Sequence, residues 1–93
     1  MPKYLTERNM LGAGTMSSDE LKGTSQTSNQ VLSDMQKDGK NVQWVESYVI
    51  DDAIYCVYLA PDQEAVREHA QTAGFPADSV QQIRATISPS TAE

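Results

Sequence analysis

Two β-prone runs, VQWVESYV at 42–49 and IYCVYLAP at 54–61, flank the acidic pair Asp51-Asp52. Val, Ile, Tyr and Trp dominate both runs, and the short acidic break between them marks a β-hairpin. A turn centred on that pair sets Val49 opposite Ile54, Tyr48 opposite Tyr55 and Glu46 opposite Val57. Strand alternation then sorts the side chains into two faces. Trp44, Glu46, Tyr48, Tyr55, Val57 and Leu59 share one; Val45, Ser47, Val49, Ile54, Cys56 and Tyr58 share the other. Both are mostly apolar, so both need cover. At 93 residues the chain makes one domain, able to bury roughly 60–65% of its unfolded surface. Helices can cover one face of the hairpin, and a second copy of the chain is the expected cover for the other.

The flanking segments supply the helices. Ser17 and Glu20 have capping-box spacing, with Met16 and Leu21 at the staple positions. This predicts a helix to about Asp38, closed by Gly39 as a left-handed cap. Its inner stripe is Leu21, Ser25, Ser28, Leu32 and Met35. The serines either allow close approach to bulky sheet residues or line a polar pocket with their hydroxyls. Pro61-Asp62 opens a second helix, with Asp62 as N-cap and Glu64 near the positive end. Ala65, Val66, His69, Ala70 and Ala73 form its inner stripe. Gly74 ends it, and Phe75 is placed to pack back. Strands are expected over Lys3–Arg8 and within Val80–Ile87, with a mobile tail at 88–93. The Gly12-Ala13-Gly14 loop lacks the remaining marks of a phosphate cradle and reads as an ordinary connection.

The order β-α-β-β-α-β is the ferredoxin-like α+β plan, a four-stranded antiparallel sheet with two helices on one face. Pairing through the second face would give a homodimer of the α/β barrel type. The net charge of −6 argues against a nucleic-acid or anionic-membrane partner. A single cysteine, Cys56, cannot form an internal disulfide, which suggests a reducing compartment, and no run is apolar enough to cross a membrane. A cytoplasmic location is expected.

Candidate site residues follow from chemistry. His69, the sole histidine, suits acid/base or ligand work because its ordinary pKa lies near neutrality. On a helix stripe it can equally be a packed residue bonded to its surroundings. Glu46 on an apolar strand face needs water, a donor or a metal, and Arg8 or Arg67 could satisfy it. The large Trp44/Glu46/Tyr48/Tyr55 face complements the small helix residues, so that face is expected beneath the helices. Glu46, Tyr48, Tyr55, His69, Ser25 and Ser28 would then line one pocket, with Glu46 and His69 as metal ligands. Cys56 would lie across the sheet from His69 as inert packing, without basic neighbours.

The run W-V-E-S-Y-V-x-D-D-x-I-Y-C-V-Y-x-A-P, with E-A-V-R-E-H-A and A-G-F-P-A-D after it, resembles a bacterial family of small domains of unknown function that includes a nickel-binding branch. The resemblance implies a ferredoxin-like dimer and suggests nickel as a cofactor. The nickel-binding relatives use several histidines, one near the end of the first strand, where this chain has Thr6-Glu7-Arg8-Asn9. Phe75 occupies the corresponding place after the second helix. An oxygen-rich site of carboxylate and phenol would favour Mg, Mn or Fe over Ni. The expected function is therefore binding of a small ligand or metal ion, with nickel affinity no better than micromolar and tracking His69 protonation near pH 6–7. A cofactor-independent oxygenase or isomerase of the dimeric α/β barrel class is the alternative.

Overall fold

The computed structural model describes residues 1–93. Strand β1 spans Lys3–Asn9, helix α1 Ser18–Lys37, β2 Gln43–Val49, β3 Ala53–Leu59, helix α2 Gln63–Ala73 and β4 Ser79–Gln82. Short 3-10 turns occupy Ala13–Thr15 and Pro89–Ala92. The strands lie in the order β2-β3-β1-β4, antiparallel throughout. Both helices cover the same face, the ferredoxin-like arrangement expected from the element order.

Local chemistry sets the helix ends where the sequence places them. The Ser17 hydroxyl accepts from the Glu20 N–H while the Glu20 carboxylate accepts from the Ser17 N–H, so two orphan donors are satisfied. The Asp62 carboxylate caps α2 through the Ala65 N–H at 2.9 Å. Gly74 ends that helix at φ +77°, and the Phe75 N–H returns to the Ala70 carbonyl at 2.9 Å. This return bond turns the Phe75 ring back toward the sheet.

The hairpin has the expected register at Val49↔Ile54, Tyr48↔Tyr55 and Glu46↔Val57. A bulge at Val45 then shifts Trp44 to pair with Tyr58. The extra residue carries Trp44 across to the Ser47, Cys56 and Tyr58 side, away from Glu46 and Tyr48. The expected assignment of faces is reversed as well. Ile54, Cys56 and Tyr58 are buried beneath the helices, whereas Glu46 and Tyr48 are exposed on the open face. The reason lies in β1, which pairs Tyr4 with Tyr58, Thr6 with Cys56, Arg8 with Ile54 and Glu7 with Tyr55. Putting the Tyr48/Tyr55 side beneath the helices would bury Lys3, Glu7 and Glu46 together, at a cost that apolar contact does not offset.

The fourth strand is shorter than expected. Its ladder with β1 runs from Glu7↔Ser79 to Tyr4↔Gln82, with one further bond from the Ile83 N–H to the Lys3 carbonyl at 2.7 Å. β1 begins at Lys3 and the ladder ends with it, so Arg84–Ile87 continue without a strand partner. From Arg84 onward every side chain is exposed.

The loop after β1 is more than a connection. The Met10 N–H donates to the Asp52 carbonyl and the Gly14 N–H to the Asp51 carbonyl, both at 2.9 Å. The Gly12 N–H reaches the Asp52 carboxylate at 2.9 Å, with Gly12 in the left-handed region at φ +78°. A β-carbon on Gly14 would stand 2.9 Å from the Asp51 Cα. Glycine is required there to clasp the hairpin turn, and the clasp seats Met10 beside Ile54 at the rim of the pocket described next.

Candidate ligand pocket

Alternation along β1 points Tyr4, Thr6 and Arg8 inward, each under 8% exposed. Arg8 is thereby buried, with 3% of the residue exposed, and its guanidinium lies between the sheet and the helix layer. It donates through Nη1 to the Pro76 carbonyl and through Nη2 to the Tyr58 hydroxyl at 3.1 Å. Its Cζ lies 5.5 Å from the centre of the Phe75 ring, a cation–π contact. The Cys56 thiol is a further neighbour. Burial alone would lower the Arg8 pKa; the Tyr58 and Cys56 side chains more than offset it and hold it above the ordinary value. No carboxylate pairs with this cation, since the one salt bridge in the chain is Lys40–Glu68 at the surface.

A cavity of about 70 Å³ opens beside Arg8, between the sheet and α1. Leu21, Trp44, Val49, Ile54 and Phe75 supply apolar wall, and Arg8, Ser25, Ser28 and Ser47 supply polar atoms. Most of the hydroxyls are already engaged. Ser25 donates to the Leu21 carbonyl at 2.8 Å, and Ser47 accepts from the Trp44 indole N–H at 2.8 Å. Ser28 meets His69 Nε2 at 3.1 Å. Val49 at the rim is 41% exposed, so the space is open to solvent on one side.

His69 is fully enclosed at 0% exposure, between Tyr58 (ring centres 5.3 Å apart) and Phe75 (6.3 Å). Burial, reinforced by repulsion from the Arg8 charge, lowers its pKa to about 4, against a smaller opposing effect from Ser28. It is neutral at pH 7, and the expected titration near pH 6–7 is corrected accordingly. Its Nδ1 and the Thr6 hydroxyl are the two buried side-chain polar atoms without a protein partner. Burial likewise pushes the Tyr58 phenol up to about 12.

Of the residues singled out in the sequence, the structure brings Ser25, Ser28 and His69 together on the helix side. It does not bring Glu46, Tyr48 or Tyr55 to them. These lie on the open sheet face, where the Tyr48 hydroxyl donates to the Glu46 carboxylate. That bond raises the Tyr48 pKa and supplies the partner Glu46 needs. The proposed metal pair Glu46 and His69 is therefore divided by the sheet. Cys56, expected across the sheet from His69 without basic neighbours, is on the same side as His69 and beside Arg8. No three His, Cys, Asp or Glu side chains gather to hold a metal ion. Arg8 is the site residue that sequence reasoning missed. Of the two sets alternating along β1, Lys3/Leu5/Glu7/Asn9 carries two charges and Tyr4/Thr6/Arg8 one, and that difference was the available signal.

A split βαβ sheet with a half-open pocket beneath its helices defines a small single-domain protein of the ferredoxin-like class. The chain belongs to the SCO4226-like family of nickel responsive proteins, whose family model matches residues 4–83. The crystal structure of SCO4226 from Streptomyces coelicolor A3(2) is similar to it, with a TM-score of 0.75 at 24% identity, covering 91% of this chain and 99% of that one. At that identity the likeness establishes the fold. No curated protein matches the chain. No helix is long and apolar enough to cross a membrane.

Proposed function

We propose that this protein binds a small ligand in the pocket between its sheet and helices, and that it works as a homodimer. One observation carries the ligand reading: a half-open, mostly apolar cavity into which a few polar groups converge, the usual character of a small-molecule site. Trp44 is the sole tryptophan and forms part of the wall, so its fluorescence reports on occupancy directly. A fragment screen read by Trp44 emission and by amide NMR shifts tests the proposal. Shifts at Ser25, Ser28, Ser47 and Trp44 are expected. A screen whose only responders shift residues of the open sheet face would refute it.

The dimer reading rests on the surface left over. Leu5, Tyr48, Tyr55, Val57 and Leu59 line the face opposite the helices, and Tyr48 is 52% exposed. A stable interface needs about 800 Å² from each partner, and a second copy seated on the open face supplies it.

The family name adds responsiveness to nickel. Within one subunit the donor set does not fit that ion, because the single imidazole faces Ser28 and two aromatic rings and has no second ligand. Any nickel binding by this chain is therefore weak, or built from surface groups of two subunits.

A further inference from the structure

We propose that the pocket takes a small organic monocarboxylate, with Arg8 as its anion-reading group; this rests on the ligand reading above. Arg8 is a cation at 3% exposure without an anionic partner in its own chain. Buried charges are ordinarily paired. A guanidinium carries five N–H donors in a planar fork. Two of them go to protein oxygens, those of Pro76 and Tyr58, and the Cys56 thiol beside them is only a weak acceptor. Arg8 lines the cavity, and no protein oxygen takes its remaining donors. A carboxylate matches the fork in shape and supplies the missing charge.

The rest of the pocket selects the body of the ligand. His69 is neutral and held by Ser28, so it adds no second positive charge, which favours one negative charge over two. Trp44, Phe75, Ile54 and Val49 offer apolar and aromatic wall rather than further donors. The volume of about 70 Å³ is smaller than the roughly 150 Å³ of a closed site that holds benzene. The carboxylate and its first carbons are enclosed, and the remainder passes out by Val49. Inorganic phosphate fits poorly, because its second charge and remaining oxygens would meet those apolar walls.

Benzoate, benzamide and inorganic phosphate, titrated separately into the whole protein at pH 7, make the test, read by Trp44 fluorescence and by the Trp44 indole and Arg8 Nε–H NMR signals. Benzoate and benzamide share a shape and differ in charge. We expect benzoate to bind about 10- to 100-fold tighter than benzamide, the range of a charge-assisted hydrogen-bond pair, and phosphate to leave both signals unmoved. Arg8→Lys keeps the charge and loses the fork, and should reduce the benzoate preference about tenfold or more. The comparison of ligands on the unmodified protein stands whether or not that variant folds. Equal affinity for benzoate and benzamide would overturn the carboxylate assignment and leave the pocket reading intact. Phosphate binding as well as benzoate would overturn the organic part. Silence of Trp44 toward all three, together with a fragment screen that finds no binder in the cavity, would overturn both readings.

Discussion

Acidification should destabilise this fold through one residue. His69 is completely enclosed, and burial together with the nearby Arg8 charge lowers its pKa to about 4. In the unfolded chain it returns to about 6.5. Between these values the unfolded state holds the proton and the native state does not, so stability rises with pH across the window. The contribution is complete above pH 6.5 and is lost as pH falls toward 4. At pH 4.5 the unfolded imidazole is almost fully charged while the native one is mostly neutral, a difference of about 2–3 kcal/mol. Against a total stability of about 5–15 kcal/mol for a domain, that loss is large.

Carboxylates also titrate near the lower end of this range, so a single protein cannot isolate the effect. His69→Gln can, since an amide is able to meet Ser28 but does not titrate. Urea unfolding of both proteins, followed by far-UV circular dichroism at pH 7 and 4.5, gives two differences whose gap belongs to His69. We expect the native protein to lose about 2–3 kcal/mol more than the variant. The variant should be the less stable at pH 7, having lost the fit between Tyr58 and Phe75, and should recover relative ground in acid. Parallel losses in the two proteins would refute the reasoning, because they would mean that His69 titrates alike in both states.

Gly14→Ala should cost about 1–3 kcal/mol, since its β-carbon would meet the backbone of Asp51 at 2.9 Å rather than a movable side chain; thermal melts should fall by several degrees, and an unchanged melting temperature would deny the clasp. Sedimentation equilibrium at micromolar concentration should give a dimer, and Val57→Asp, placing a charge in the middle of the open face, should give a folded monomer of about half that mass; a native monomer of 10.2 kDa would remove the interface. Calorimetric titration with Ni²⁺ at pH 7 should yield a Kd of about 1 μM or weaker, in keeping with the single imidazole. Binding tighter than ~100 nM that survives His69→Ala would mean that carboxylates, or groups from two subunits, supply the ligands.

Features that depend on neighbours in sequence were legible from the sequence. The Ser17/Glu20 box, the Asp62 cap, the Gly74 ending and the hairpin register all come from interactions within a few residues. β4 was overestimated because Ile83, Ala85 and Ile87 alternate like a strand. Its length is set instead by where β1 begins, a partner 80 positions away in the chain (Lys3 to Ile83). Ala85 and Ile87 have the pattern of a strand and nothing to pair with.

The pocket was less legible because it depends on one inserted residue and one distant strand. Without the bulge at Val45, Trp44 would stay with Glu46 and Tyr48 on the open face, and the cavity would lose an aromatic wall. Without β1, nothing in the hairpin decides which apolar face turns inward. Lys3 and Glu7 decide it by refusing burial, and the same alternation that exposes them forces Arg8 inside. The buried cation is thus a consequence of the sheet's orientation. Pro76, Tyr58 and Phe75 gather around it because the α2 ending and the β3 pairing deliver them there. A packing position that merely needed filling would be served by a leucine without the cost of burying a charge. On the reading proposed above, a guanidinium at that position, beside open space and with donors to spare, serves an anionic guest.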